Sequence, residues 1–97
     1  MFYRVGKINC KPEKADDVID YFKDNEVFFK ETDGIQSLSY FKTSANEVTG
    51  IAVWESKEKL DANVERVQSI MKGLFKYIEE PPIISEGKLE YQFLKKL

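Results

Sequence analysis

Along the chain, apolar positions switch between alternation and helical spacing, and each switch marks an element. Phe2 to Asn9 is rich in β-branched and aromatic residues and predicts a strand. Side chains alternate along a strand, so Phe2 and Ile8 share one face and Tyr3 and Val5 the other. Lys11-Pro12-Glu13 turns the chain, with Pro12 at a natural helix entry. From Glu13 to about Thr32 the apolar residues Ala15, Val18, Ile19, Phe22 and Phe29 follow helical spacing, and Asn25-Glu26 weakens the stripe enough to predict a bend or break. Asp33-Gly34 is a stop, because glycine takes the left-handed conformation past a helix end at little cost.

Ile35 to Thr43 predicts a second strand and Glu47 to Trp54 a third, joined through Thr43-Ser44-Ala45-Asn46 as a short hairpin. Ser56 is a good N-cap. Leu60, Val64, Val67, Met71, Leu74 and Ile78 then follow a single amphipathic stripe, predicting one long helix that Glu79-Glu80-Pro81-Pro82 ends. Leu89, Tyr91 and Phe93 alternate with Glu90 and Gln92 and predict a fourth strand.

The order β-α-β-β-α-β is the ferredoxin-like α+β arrangement, an antiparallel four-stranded sheet with two helices on one face, here a single domain over residues 1–97. The first three strands are apolar on both faces: Phe2 and Ile8 against Tyr3 and Val5, Ile35 and Phe41 against Leu38 and Tyr40, Val48 and Trp54 against Ile51 and Val53. Two helices cover only one of these faces. The other is a larger apolar patch than monomers usually expose, so a homodimer through sheet-to-sheet packing is expected.

Composition narrows the chemistry. The formal net charge is −2 and charges of both signs are mixed along the chain, which disfavours a nucleic-acid footprint. No apolar run approaches the roughly 20 residues of a membrane helix and no secretory leader is visible. One cysteine, Cys10, forms no intrachain disulfide, so a cytoplasmic setting is expected. There is no histidine, which removes the commonest general base and metal ligand, and neither a metal nor a cofactor is expected.

The whole chain resembles the dimeric α+β barrel superfamily, and within it the antibiotic-biosynthesis-monooxygenase-like branch. The resemblance rests on Val53-Trp54-Glu55-Ser56-Lys57 at the third-strand-to-helix junction, Gly34-Ile35 opening the second strand, and Pro81-Pro82-Ile83 before a final strand beginning near Gly87. It implies a ligand held between the sheet and the helices of each protomer, and either cofactor-independent oxygenation of electron-rich aromatic compounds or haem degradation. The haem-degrading branch uses a strand-one asparagine, and a tryptophan and a histidine on helix two; these positions fall near Gly6, Asn63 and Gly73. All three residue types are missing there, which disfavours haem degradation.

Several residues are candidates for a site. Gly6 and Gly50 lie mid-strand on neighbouring strands, and with Ala52 they leave a hollow if they face the helices; a bulky side chain filling it, or a bulge, is the alternative. Trp54 suits stacking on a flat ligand and donating one hydrogen bond, or simply pinning the second helix as core. Arg4 shares a face with Gly6 and is suited to steadying an enolate or phenolate, or to a surface ion pair. Asn63 offers a polar amide on helix two, and Tyr40, Tyr77 and Tyr91 offer phenols. Cys10, between Lys7 and Lys11, has the charges that lower a thiol pKa, although an inert buried cysteine is the plainer reading.

The function expected is a cofactor-independent monooxygenase-like protein acting on a small aromatic or polyketide-like compound. The alternative is a non-catalytic ligand-binding or structural homodimer of the same fold. An RNA-binding domain shares the element order, but Thr49-Gly50-Ile51-Ala52-Val53-Trp54 lacks that motif's stacking aromatics and leading basic residue.

Overall fold

The computed structural model describes residues 1–96. Strands β1 (Phe2–Asn9), β2 (Ile35–Ser44), β3 (Glu47–Trp54) and β4 (Ile83–Lys88) form one antiparallel sheet in the order β2-β3-β1-β4. Helices α1 (Ala15–Asp24), α2 (Glu26–Lys30), α3 (Lys57–Ala62) and α4 (Val64–Lys72) cross one face of it, followed by a 3-10 turn at Phe75–Tyr77. The α+β, ferredoxin-like arrangement read from the sequence is the one observed. No helix of the described residues is long and apolar enough to cross a membrane.

The interior strand β1 pairs with β3 from Phe2↔Trp54 to Asn9↔Glu47, and with β4 from Phe2↔Lys88 to Lys7↔Ile83. Alternation then sends Arg4, Gly6 and Ile8 to the helices, with Gly50, Ala52 and Trp54 beside them on β3. The core on this side falls into two clusters. One gathers Ile8, Cys10, Val18, Phe22, Val48 and Leu74; the other gathers Ala52, Trp54 and Leu60. Between them lies the row of the two glycines, Gly6↔Gly50.

Four expectations about the elements need correction. The first long helix starts at Ala15, and Glu13, expected to open it, has a left-handed φ of 66°. The break anticipated at Asn25-Glu26 is present, and the Asn25 amide donates to the Tyr21 carbonyl at 2.7 Å, competing with the helical bond. The second helix, expected to be continuous, breaks at Asn63, whose amide donates to the Asp33 and Lys59 carbonyls.

The fourth strand runs over Ile83–Lys88 and not through Leu89, Tyr91 and Phe93. The free edge of β1 decides this, because its partners run from Ile83 to Lys88, and the alternation further on finds no edge to join. Finally, a register shift between Ile35 and Ser37 turns Ile35 to the helix side with Leu38 and Tyr40, whereas simple alternation placed it opposite them.

Among the described residues no helix lies on the opposite face of the sheet. Val5, Ile51 and Val53 are half-exposed there, with Phe41 and Ile83 more so. The segment after β4 crosses near Tyr3, whose hydroxyl accepts from the Gln92 amide. It leaves Tyr91 81%, Phe93 71% and Leu94 75% exposed.

Candidate functional site

A cavity of about 60 Å³ lies between the sheet and the helices, at the gap between the two core clusters. Its floor is β1 and β3: Arg4, Gly6, Gly50, Ala52 and Trp54 all line it. Its roof is Phe28, Phe29 and Thr32 from α2 and the turn after it, with Val67, Ile70 and Met71 from α4. Pro82 and Ile84 close one side, and Leu38 and Tyr40 the other.

The roof is tied across the two helical segments by Arg66. Its Nε donates to Thr32 Oγ1 at 2.8 Å, one Nη donates to the Phe28 carbonyl at 3.1 Å, and its guanidinium lies 4.2 Å from the Phe28 ring centre. Thr32 is buried and its hydroxyl also donates to the Phe28 carbonyl, so the end of α2 is held in place over the cavity. Asn63 anchors the same region from outside, through its bonds to Asp33 and Lys59.

The hollow expected over the two glycines is partly filled, and the fillers come from the neighbouring strands. Tyr40 stands opposite Gly50 in the register and leans over it: a Cβ at Gly50 would lie 2.2 Å from Tyr40 Cε1. Its ring stacks on Phe22 with centres 3.7 Å apart and planes 9° from parallel. Ile84 does the same over Gly6, more loosely, its Cδ1 lying 3.3 Å from where a Gly6 Cβ would be. The row Tyr40-Gly50-Gly6-Ile84 thus spans the whole sheet, large residues at its edges and space at its centre.

Three polar groups belong to this apolar chamber. Trp54 is 1% exposed, and its indole N–H is a buried donor with no partner among the described residues. An unpaired buried donor costs roughly 1–3 kcal/mol. Arg4 donates to Glu86 at 3.1 Å in a partly exposed ion pair, so its charge at the cavity is already shared with a carboxylate. Burial pushes the Tyr40 phenol well above its ordinary range, with the positive charge of Arg4 a smaller pull downward. The phenol is therefore a neutral donor at physiological pH.

The other candidates lie elsewhere. Tyr77 does not line the cavity; it packs beside the cluster of Ile8 and Leu74. Asn63 directs its amide at backbone carbonyls and not into the cavity. Cys10 is buried and burial raises its thiol pKa, against a smaller lowering by the backbone of Val48; that favours the thiol over a reactive thiolate. Gly73 admits Tyr21, whose hydroxyl would lie 2.1 Å from a Cβ there and which donates to the Ile70 carbonyl. Among the described residues no three acidic or thiol side chains come together as metal ligands.

Sequence reasoning missed the aromatic wall of Phe22, Phe28 and Phe29 as part of the site, and it missed the Arg66–Thr32 tie. One signal was available for Tyr40. A hairpin that pairs an aromatic with a glycine places the ring over the bare backbone, and the register puts Tyr40 opposite Gly50.

No protein-family model matches this sequence, and no curated protein matches it. Solved structures do match in shape. A monooxygenase from Streptomyces coelicolor, in complex with the ligand nanaomycin D, superposes with a TM-score of 0.84 at 17% identity, covering 98% of this chain and 92% of that one. A protein of unknown function from Nitrosomonas europaea gives 0.81 at 12% identity, covering 98% and 94%. An antibiotic biosynthesis monooxygenase gives 0.74 at 13% identity, covering 94% and 100%. Identities this low carry shape and not activity, and on that ground the chain has the fold of the antibiotic biosynthesis monooxygenase-like proteins.

Proposed function

We propose that this chain is a cofactor-independent monooxygenase-like protein acting on a small aromatic or polyketide-like compound bound between the sheet and the helices. The observation that carries the reading is the chamber itself: apolar walls, one buried indole N–H without a partner, and a guanidinium at the floor. The lining of this chamber, more than its closed volume, matches a flat, electron-rich molecule with an oxygen directed at a donor. The similarity in shape to a monooxygenase solved with nanaomycin D supports the same kind of ligand.

The chemistry asks little of the protein. A substrate with an acidic CH2 flanked by aromatic rings loses a proton, and the carbanion gives electrons to dioxygen. One oxygen atom enters as the ketone and the other leaves as water, so the four electrons released by CH2 going to C=O reduce one O2. Arg4 stabilises the anion, Trp54 Nε1 donates to its oxygen, and the apolar walls exclude water.

The working unit in this proposal is a homodimer. The uncovered sheet face, with Phe41, Ile51, Val53 and Ile83, and the exposed Tyr91, Phe93 and Leu94 beyond β4 supply apolar surface for a second copy to cover. A non-catalytic ligand-binding homodimer is the second reading, favoured by the pairing of Arg4 with Glu86, which leaves no uncommitted cation at the floor.

Native mass spectrometry and oxygen uptake test both parts. The expected mass is that of two chains, and a stable single chain at working concentration overturns the dimer. With a panel of polycyclic aryl ketones bearing an acidic CH2, oxygen uptake should match ketone formation, with one labelled atom from 18O2 in the product. Arg4→Gln should lower kcat by about 10²-fold, the scale of losing one donor to a developing oxyanion. Compounds that bind without oxygen uptake decide for the non-catalytic reading.

A further inference from the structure

A second, larger cavity shares the wall of the first. It is an open cleft of about 520 Å³ between β2 and the helices α1 and α2. Phe22, Phe29, Ile35, Leu38 and Tyr40 line both spaces. The partition is therefore one layer of side chains thick. Its centre is Tyr40 stacked on Phe22, with the Phe29 ring 6.2 Å from that of Phe22.

Volume makes this partition matter. The inner cavity, about 60 Å³, is well below the ~150 Å³ of a cavity that takes up a single benzene. No polycyclic molecule enters it while the wall stands. The cleft alone falls within the roughly 300–1,000 Å³ of ligand sites, but it lacks the buried donor. Tyr40 is the movable piece. It belongs to β2, at the edge of the sheet, and it rests on glycine, so its ring can swing without moving any side chain beneath it.

The cleft also has a charge. Lys23, Lys30 and Glu26 line it. Lys30 faces Glu26 at 3.9 Å, and Lys23 takes part in no ion pair among the described residues. The local excess is one positive charge.

We propose that the cleft and the inner cavity are two halves of one binding site, divided by the Tyr40 ring, and that its ligand is a flat aromatic anion. The ligand enters past Tyr40, sets an oxygen against the Trp54 indole N–H, and leaves its anionic group beside Lys23 and Lys30. This rests on the reading that a ligand lies between sheet and helices, and it adds the route, the shutter and the charge.

Trp54 is the one tryptophan of the sequence and lines the inner cavity, so tryptophan emission arises at that wall. Two readouts test the proposal, with folding checked by circular dichroism. The first is acrylamide quenching of Trp54, expected to rise at least threefold in Tyr40→Ala and in Phe29→Ala, which opens the same wall from the helix side. No rise in either folded variant overturns the shutter. The second is energy transfer from Trp54 to 8-anilinonaphthalene-1-sulfonate, an aromatic anion built on a flat naphthalene. Tyr40→Ala should tighten its binding on the order of 100-fold, the reciprocal of the fraction of molecules in which the ring stands open, and the double variant Lys23→Glu, Lys30→Glu should weaken it about fivefold, while Lys72→Glu, at a residue that lines neither cavity, should leave it unchanged. Indifference to the charge reversal overturns the anionic class, and absence of transfer in wild type and Tyr40→Ala alike overturns the two-part site. Neither readout involves oxygen, so failure of the oxygenase reading leaves these outcomes standing, and their failure leaves oxygen uptake to be judged separately.

Discussion

Gly50→Ala is the sharpest test of how the site is built. The new Cβ would lie 2.2 Å from Tyr40 Cε1, 2.6 Å from Cδ1 and 2.8 Å from Cζ, closer than any real Cβ contact. The ring must leave Gly50, and with it the stack on Phe22. Losing the stack costs about 0.5–1.5 kcal/mol, and re-exposing most of the ring roughly another 1.5–3 kcal/mol. Replacing glycine returns about 0.4–1 kcal/mol by restricting the unfolded chain. The net loss is about 1–4 kcal/mol, and its centre, about 2.5 kcal/mol, is on the order of 10–20 °C in Tm for a domain of this size.

Urea denaturation followed by circular dichroism measures it, in wild type and in a Tyr40→Ala background. With no ring to displace, Gly50→Ala should be neutral or slightly stabilising in that background, giving a coupling of about 2–4.5 kcal/mol, the ring losses alone. An equal cost in both backgrounds refutes the account of Gly50 as a seat for the Tyr40 ring. The two ring losses alone set the shutter in the native protein, since no unfolded-chain contribution enters there: a ring that costs about 3 kcal/mol to swing out is open in on the order of 1% of molecules, and a ligand's apparent affinity is reduced by that fraction.

Alkaline stability is a second prediction. Below the ordinary phenol pKa of 10.0, Tyr40 is protonated whether folded or unfolded, and its contribution is complete. Above that pH the unfolded chain releases the proton while the folded chain keeps it, so stability falls by up to about 1.4 kcal/mol per pH unit until the folded phenol titrates. Tyr21 and Cys10, both raised by burial, act in the same direction. Denaturation at pH 9 to 11.5 should show the slope, and Tyr40→Phe should flatten it. Ser56, whose hydroxyl accepts from the Lys59 N–H at 3.2 Å, caps α3, and Ser56→Ala should cost about 1 kcal/mol in the same assay. Gly34→Ala should cost more, because Gly34 has φ 92° and a Cβ there would lie 2.5 Å from Lys59 Cβ.

Legibility in the sequence followed the range of the interactions. Local pattern sufficed for β1 and β3, whose limits match the reading residue for residue, and for the break at Asn25. It also brought Arg4, Gly6, Gly50, Ala52 and Trp54 to one face, because strict alternation over two paired strands leaves no freedom. It failed where a partner decides. The free edge of β1 selected Ile83–Lys88 over the better-alternating residues beyond it. Asp33, 30 residues from Asn63, offered the carbonyl that interrupts the α3–α4 stripe. Tyr77 was misplaced for the same reason, since the 3-10 turn after α4 carries it to the far cluster. The closeness of Tyr40 to Gly50 required both register and rotamer, and only the first of these was within reach of pattern.

The strand order has a consequence for how the molecule is made. β1 is synthesised before every other element, yet it lies inside the sheet, between β3 and β4. At synthesis rates of about 5–20 residues per second, its second partner leaves the ribosome on the order of ten seconds after it does. Through that interval one edge of an aromatic-rich strand stands without backbone partners, even after the β2–β3 hairpin has formed and docked. Just beyond the paired strands, the Leu89 N–H donates to the Met1 carbonyl at 2.9 Å. The sheet closes only when β4 arrives, and until then the bare edge of β1 is open to pairing with a neighbouring chain.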